Sequence, residues 1–143
     1  MPRYVLLLGS NQDADANLAR ATGLIERNYG ILRLGELLPS PDREANDCQR
    51  PPYLNCALEI ASPLGAPELK LAMRDIEAAC GRIRPAPTSG LCAMDIDIAL
   101  VFAAGAWQVN DEKAVTPDYA QQALSLWLQP LCIHAHSTAS SLV

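Results

Sequence analysis

The sequence predicts an α+β fold in which an antiparallel sheet carries helices on one face. Three observations point there. Tyr4–Leu8 is a continuous apolar run of the kind that buried strands show. Leu18, Ala21, Ile25 and Tyr29, and again Leu69, Met73, Ile76 and Cys80, recur at helical spacing. Met94–Phe102 alternates instead, with Met94, Ile96, Ile98 and Leu100 on one expected face and Asp95, Asp97, Ala99 and Val101 on the other.

Each element follows from local signals. Gly9-Ser10-Asn11 ends the first strand. The first helix closes at Gly30, a residue suited to the position just past a helix end. Ile31–Leu38 reads as one second strand and Tyr53–Ile60 as a third. Pro67 suits the first turn of the second helix, and Gly81 closes it. After the fourth strand, Gly105 turns the chain into a short strand around Trp107–Val109. Thr116-Pro117 reads as the N-cap and first residue of a third helix, whose stripe is Ala120, Ala123, Leu124, Trp127 and Leu128. The order is β-α-β-β-α-β, the ferredoxin-like or split βαβ order, followed by a C-terminal β-α extension. Two connections, Pro39–Pro52 and Arg82–Ala93, are long for a compact domain, and such segments usually carry function. They flank the third and fourth strands, so both can reach the same end of the sheet.

Composition narrows the class. Half of the 143 residues are apolar, enough for one core in one domain over 1–143, with 136–143 expected as a flexible tail. The net charge of −5 and the scattered Lys and Arg argue against non-specific nucleic-acid binding. No Lys or Arg occurs between Pro85 and Glu112. The run Tyr4–Leu8 is too short for a signal peptide, and no stretch approaches the ~18 apolar residues of a membrane span. The expected compartment is the cytoplasm. Cys48, Cys56, Cys80, Cys92 and Cys132 are odd in number and irregularly spaced, which reads as free thiols rather than a disulfide framework or zinc site. His134 and His136 fall in the expected tail, with no further ligand near them in sequence.

Asp95 and Asp97 are the strongest chemical signal. Carboxylates two apart on a strand point the same way, about 7 Å apart at Cα. They repel unless a cation lies between them, and hard oxygen ligands suit Mg²⁺ with substrate phosphates. The same pattern also fits a solvated strand face. Tyr53 and Asn55 share a face of the third strand; the ring can stack and the amide can pair with a heterocycle edge, or the tyrosine packs at a sheet border. Glu77, Arg82 and Arg84 lie at the end of the second helix. The arginines suit phosphate oxygens, and equally the negative end of the helix dipole. There is no P-loop, dinucleotide fingerprint or nucleophilic triad pattern.

Together these residues resemble a known family. Gly9-Ser10-Asn11, Pro52-Tyr53-Leu54-Asn55, Ile76-Glu77, Gly81-Arg82-Ile83-Arg84, Asp95-Ile96-Asp97-Ile98, Thr116-Pro117-Asp118-Tyr119 and Pro130-Leu131 look like 6-hydroxymethyl-7,8-dihydropterin pyrophosphokinase, in order and with near-family spacing. The resemblance implies a ferredoxin-like domain that transfers the pyrophosphoryl group of ATP to the hydroxymethyl group of a reduced pterin in folate biosynthesis, releasing AMP. It implies that Asp95 and Asp97 hold two Mg²⁺ ions and act in catalysis with Arg82. It places Ser40, Pro41, Tyr53, Asn55 and Leu126 at the pterin, and Arg74, Glu77, Arg82, Arg84, Ile98 and Tyr119 at the nucleotide. The partners implied are small molecules, handled by a monomer with no nucleic acid or membrane involved.

The departures fall where such chemistry would lie. The family's catalytic loop reads Arg-Trp-Gly-Pro-Arg; this chain has Thr88-Ser89-Gly90-Leu91-Cys92. Asp118 stands in place of a histidine, Leu124 of a phosphate-side arginine, and Leu126 of the ring that sandwiches the pterin against Tyr53. An arginine at a phosphoryl-transfer transition state contributes on the order of 10³–10⁵ in rate. The expectation therefore divides between a pyrophosphokinase with an altered loop, a homologue that binds a pterin or nucleotide without efficient turnover, and a partner-binding domain.

Overall fold

A computed structural model describes residues 1–40 and 51–128. Pro41, Cys48, Cys132, His134, His136 and the expected tail 136–143 lie outside the described residues. The elements are β1 (Arg3–Ser10), α1 (Ala14–Tyr29), β2 (Ile31–Leu34), β3 (Leu38–Ser40), β4 (Tyr53–Ala61), α2 (Ala66–Ala79), β5 (Asp95–Ala103), β6 (Ala106–Val109), α3 (Glu112–Val115) and α4 (Asp118–Ala123). All strand pairings are antiparallel, in the order β2-β4-β1-β5-β6 with β3 also on β4. The run Tyr4–Leu8 is central because β1 pairs on both sides, with β4 and β5, and every residue in it is buried.

On one face, α1 and α2 lay their apolar stripes against the sheet. Leu18, Ala21 and Ile25 of α1, and Leu69, Met73 and Ile76 of α2, pack on Leu6, Leu8, Leu58, Ile60 and Ile96. Cys80 and Gly81 end α2 in a Schellman arrangement: Gly81 N–H donates to Ala78 O at 2.9 Å and Arg82 N–H to Glu77 O at 3.0 Å. Gly81 takes φ +99°, which an L side chain would resist.

The opposite face corrects the expectation of helices on one side only. There Val5, Leu7, Ala57, Ala99 and Leu100 are covered by Val115 of α3, Ala120 and Ala123 of α4, and the fully buried Leu124 and Trp127. Trp127 Nε1 donates to Glu59 Oε1 at 3.0 Å, so its polar edge is satisfied inside this second core. The expected third helix is thus divided. Thr116 closes α3, and Pro117 stands at the N-cap position of α4, where its carbonyl accepts from Ala120 and Gln121 at 3.0 Å. Leu124 then forms a turn before residues 125–128 become helical again.

Two strands also differ from expectation. Ile31–Leu38 is not one strand: β2 ends at Leu34, Gly35 N–H donates to Ala57 O at 2.8 Å, and pairing resumes in β3 at Leu38. In β5 the alternation breaks. Val5 pairs with Leu100 but Leu6 with Ile98, so Ala99 is an extra residue in a β-bulge. Beyond it the faces exchange: Leu100 joins Ala99 in the second core, and Val101 packs on the helix side. The Ala99 carbonyl accepts from Asn110 N–H at 2.9 Å.

Candidate functional site

Several of the expected site residues gather where β1 ends and β4 and β5 begin. Gly9 is in register with Asn55 on one side and Asp95 on the other, and Ser40 pairs with Tyr53. Ser40, Tyr53, Asn55 and Asp95 therefore share one end of the sheet. The long connection before β4 starts from this end at Ser40, and the connection 82–94 arrives at it.

The glycine at position 9 permits a close approach. A Cβ there would sit 3.0 Å from Asn55 Oδ1. Asn55 is buried, and its Nδ2 donates to Ser40 Oγ at 2.7 Å and to Leu38 O at 3.4 Å. The amide is thereby oriented by β3. Ser10 and Asn11 fasten the connection that follows α2. Asn11 Oδ1 accepts from Cys92 N–H at 2.6 Å, Asn11 N–H donates to Cys92 O at 3.1 Å, and Asn11 Nδ2 donates to Gly90 O at 3.3 Å.

A cavity of about 390 Å³ opens between these parts, lined by Tyr53, Arg82, Ala86, Pro87, Thr88, Gly90, Leu91, Cys92 and Asp95. Arg82 and Asp95 are the charged members of this lining. Burial pushes the Cys92 thiol up, Arg82 pulls it back, and Tyr53 is hydrogen-bonded to it.

Asp95 and Asp97 stand side by side at the start of β5, their side chains 44% and 26% exposed. Desolvation drives the Asp97 pKa up to about 7, helped by the charge of Asp95 and a hydrogen bond between the two carboxyl groups. Lys70 opposes the rise and Asp111 adds to it.

The outer edge of β5 explains why this stretch holds its shape. β6 pairs with Leu100–Ala103, and among the described residues no strand covers Asp95–Ala99 on that side. Side chains complete the edge. Arg82 Nη1 donates to Met94 O at 2.9 Å, Lys70 Nζ to Ile96 O at 2.5 Å, and Asn110 Nδ2 to Ile98 O at 2.9 Å. Glu77 Oε2 accepts from Ile96 N–H at 2.8 Å. Lys70 and Glu77 are two helical turns apart on α2, so one helix face holds both main-chain groups of the residue between the acids. Glu77 is fully buried and also pairs with Arg84 Nη2 at 2.9 Å. Arg82 reaches Asp95 Oδ1 at 3.4 Å.

Other expected residues fall elsewhere. Arg74 is exposed on α2. The Ile98 side chain is buried in the helix-face core. Tyr119 packs, half-buried, on the second core. Leu124 is fully buried in that core, so its side chain faces no phosphate. Leu126 is 40% exposed and lines a separate hollow of about 230 Å³ with Glu36, Leu38, Gln122, Ala123 and Ser125. Sequence reasoning passed over Lys70, because a lysine one step from an apolar stripe reads as solvated, and over the clamping role of Asn11.

The donor set fits a magnesium–phosphate group. Among the described residues no cluster of three or more His, Cys, Asp or Glu could enclose a metal by itself. Two adjacent carboxylates at a cavity mouth match an ion that completes its shell with phosphate oxygens and water.

Fold and cleft define a small α+β sandwich protein with a paired-carboxylate site at one end of an antiparallel sheet. The family model for 7,8-dihydro-6-hydroxymethylpterin-pyrophosphokinase (HPPK) matches residues 5–135. The chain belongs to this family of folate-biosynthesis pyrophosphokinases, whose fold is ferredoxin-like. No curated protein matches the sequence. Among the described residues, no helix is long and apolar enough to cross a membrane.

Proposed function

We propose that this chain transfers the pyrophosphoryl group of ATP to the hydroxymethyl oxygen of 6-hydroxymethyl-7,8-dihydropterin, releasing AMP, as a monomer acting on small molecules in the cytoplasm. The observation that carries this reading is the meeting of Tyr53, Arg82 and Asp95 around one cavity, with Asp97 beside them.

In this reading Asp95 and Asp97 hold two Mg²⁺ ions. Bound there with the nucleotide, such ions would supply positive charge to neutralise the negative charge of the transferred group. Arg82 already contacts Asp95 at 3.4 Å and keeps that carboxylate oriented. Tyr53 offers its ring to the pterin, with Ser40 and Asn55 on neighbouring register positions, while Pro41 and Leu126 are assigned to the pterin by the family resemblance alone. Arg84, ion-paired to the buried Glu77 and half-exposed, extends the positive rim toward the nucleotide. Arg74, Ile98 and Tyr119 complete the nucleotide side as the family resemblance has them. Residues 86–92 shield the transferring group from water.

The test is incubation with ATP, Mg²⁺ and the dihydropterin alcohol. AMP should accumulate with the wild-type chain and not with Asp95→Ala/Asp97→Ala. No AMP above that control overturns the reading. One observation favours a second reading: the cavity wall formed by Thr88, Gly90, Leu91 and Cys92 brings no cation to a polyphosphate. A homologue that binds pterin or nucleotide without turnover would give heat in a calorimetric titration and no AMP.

A further inference from the structure

Lys70 is the feature of this site that the proposed function leaves unused. It projects from α2 beside the core residue Leu69, with its Nζ 2.5 Å from Ile96 O and 3.5 Å from Asp97 Oδ1. Arg82 occupies the matching place at Asp95, at 3.4 Å. Each acid of the pair thus has its own resident cation, and the Lys70 and Asp97 side chains are 33% and 26% exposed.

Taking as given the reading that Asp95 and Asp97 hold metal ions, we propose that Lys70 is a built-in competitor for the metal at Asp97, which disfavours entry of a divalent ion until a nucleotide brings phosphate charge to the site. An ammonium group 3.5 Å from a carboxylate oxygen repels a dication that seeks the same oxygen, and the repulsion is strong in a half-buried place. To admit the ion, Lys70 must give up Asp97. In the free protein its remaining partner is a main-chain carbonyl, which leaves the ammonium short of counter-charge. Phosphate oxygens supply that counter-charge, so Lys70 changes partner as the nucleotide arrives. Free metal then binds weakly and nucleotide-accompanied metal binds well. The hydrogen bond to Ile96 O is the part of the lysine's role that is structural, and it separates cleanly from the charge.

The experiment measures Mn²⁺ binding to the full chain without nucleotide, by electron paramagnetic resonance, with melting curves confirming that each variant is folded. Lys70→Gln removes the charge and keeps an N–H donor for Ile96. It should bind Mn²⁺ about fivefold more tightly than wild type, the factor expected for removing one partly exposed ion pair. Lys70→Arg keeps the charge and should bind as wild type does. If Lys70→Gln melts early, Lys70→Met, which preserves the packing of the stem, takes its place with the same expected gain. Equal affinity in the neutral variant and wild type, with binding lost in Asp97→Asn, overturns the role of Lys70 and leaves the metal site standing. Mn²⁺ binding that is absent throughout, or indifferent to Asp97→Asn, overturns the metal reading and this proposal together.

Discussion

The buried carboxylate of Glu77 accepts the main-chain N–H of Ile96 at 2.8 Å, which fixes a helix to the one residue that separates Asp95 from Asp97. The same carboxylate holds Arg84 at 2.9 Å, so helix end, following connection and acidic strand are joined at a single side chain.

Removing that carboxylate leaves a buried N–H and an arginine without their partner. Glu77→Ala should lower the stability by about 3 kcal/mol, and Glu77→Gln, which keeps an acceptor, by about 1–2 kcal/mol. Urea unfolding checks both, with the midpoint falling in that order.

The raised pKa of Asp97 makes the metal-free protein less stable at neutral pH than in mild acid. The folded carboxyl titrates up to about 7 because burial, with Asp95 beside it, disfavours the charged form. The unfolded carboxyl titrates near 3.8, so between these values the folded state binds a proton that the unfolded state does not. Its favourable contribution is complete below pH ~3.8 and is lost as pH rises toward ~7. Between pH 4.5 and 7.5, wild type should lose roughly 5 °C of melting temperature relative to Asp97→Asn. Saturating Mg²⁺ should restore most of that loss.

Much of this arrangement was legible in the sequence, for reasons of periodicity. The stripes of α1 and α2 and the apolar run of β1 carry their period openly, and the helix-face core follows. The bulge at Ala99 is invisible there, because the residues around it continue to alternate while the pairing shifts. α3 spans four residues, too few for a helical period, although Asp111 at its N-cap was a readable sign, its Oδ1 accepting from Ala114 N–H at 3.2 Å. The pair Asp95 and Asp97 could be read from spacing. The burial of Glu77 and the reach of Lys70 could not, since both follow from how α2 lies along the open edge of β5.

Asn11 sets the position of the Cys92 wall. Asn11→Ala removes the two side-chain hydrogen bonds to Gly90 and Cys92 while keeping the main-chain one, and should raise the rate at which a soluble disulfide reagent modifies Cys92 by roughly tenfold, equivalent to ~1.4 kcal/mol of easier opening. Cys56 and Cys80 are buried thiols and should remain slow.

Positions 124 and 126 should respond in opposite ways. Leu124→Arg forces a charge into the second core and should cost about 3–5 kcal/mol, read as a large drop in melting temperature, without improving nucleotide binding. Leu126→Phe adds a ring at a half-open hollow and should leave stability nearly unchanged. Pterin affinity in the Phe variant should rise by about two- to tenfold, the value of one stacking contact, as read by calorimetry.

The filled border of β5 has a consequence for the behaviour of many copies at once. A sheet border with bare N–H and C=O groups invites a strand from another chain. Here Arg82, Lys70, Glu77 and Asn110 occupy four of those groups between Met94 and Ile98, three of the four side chains bringing charge with them. Two acids can therefore sit at the margin of the sheet while the backbone around the residue between them has both its N–H and its C=O taken, which disfavours its extension by a neighbouring molecule into a fibril.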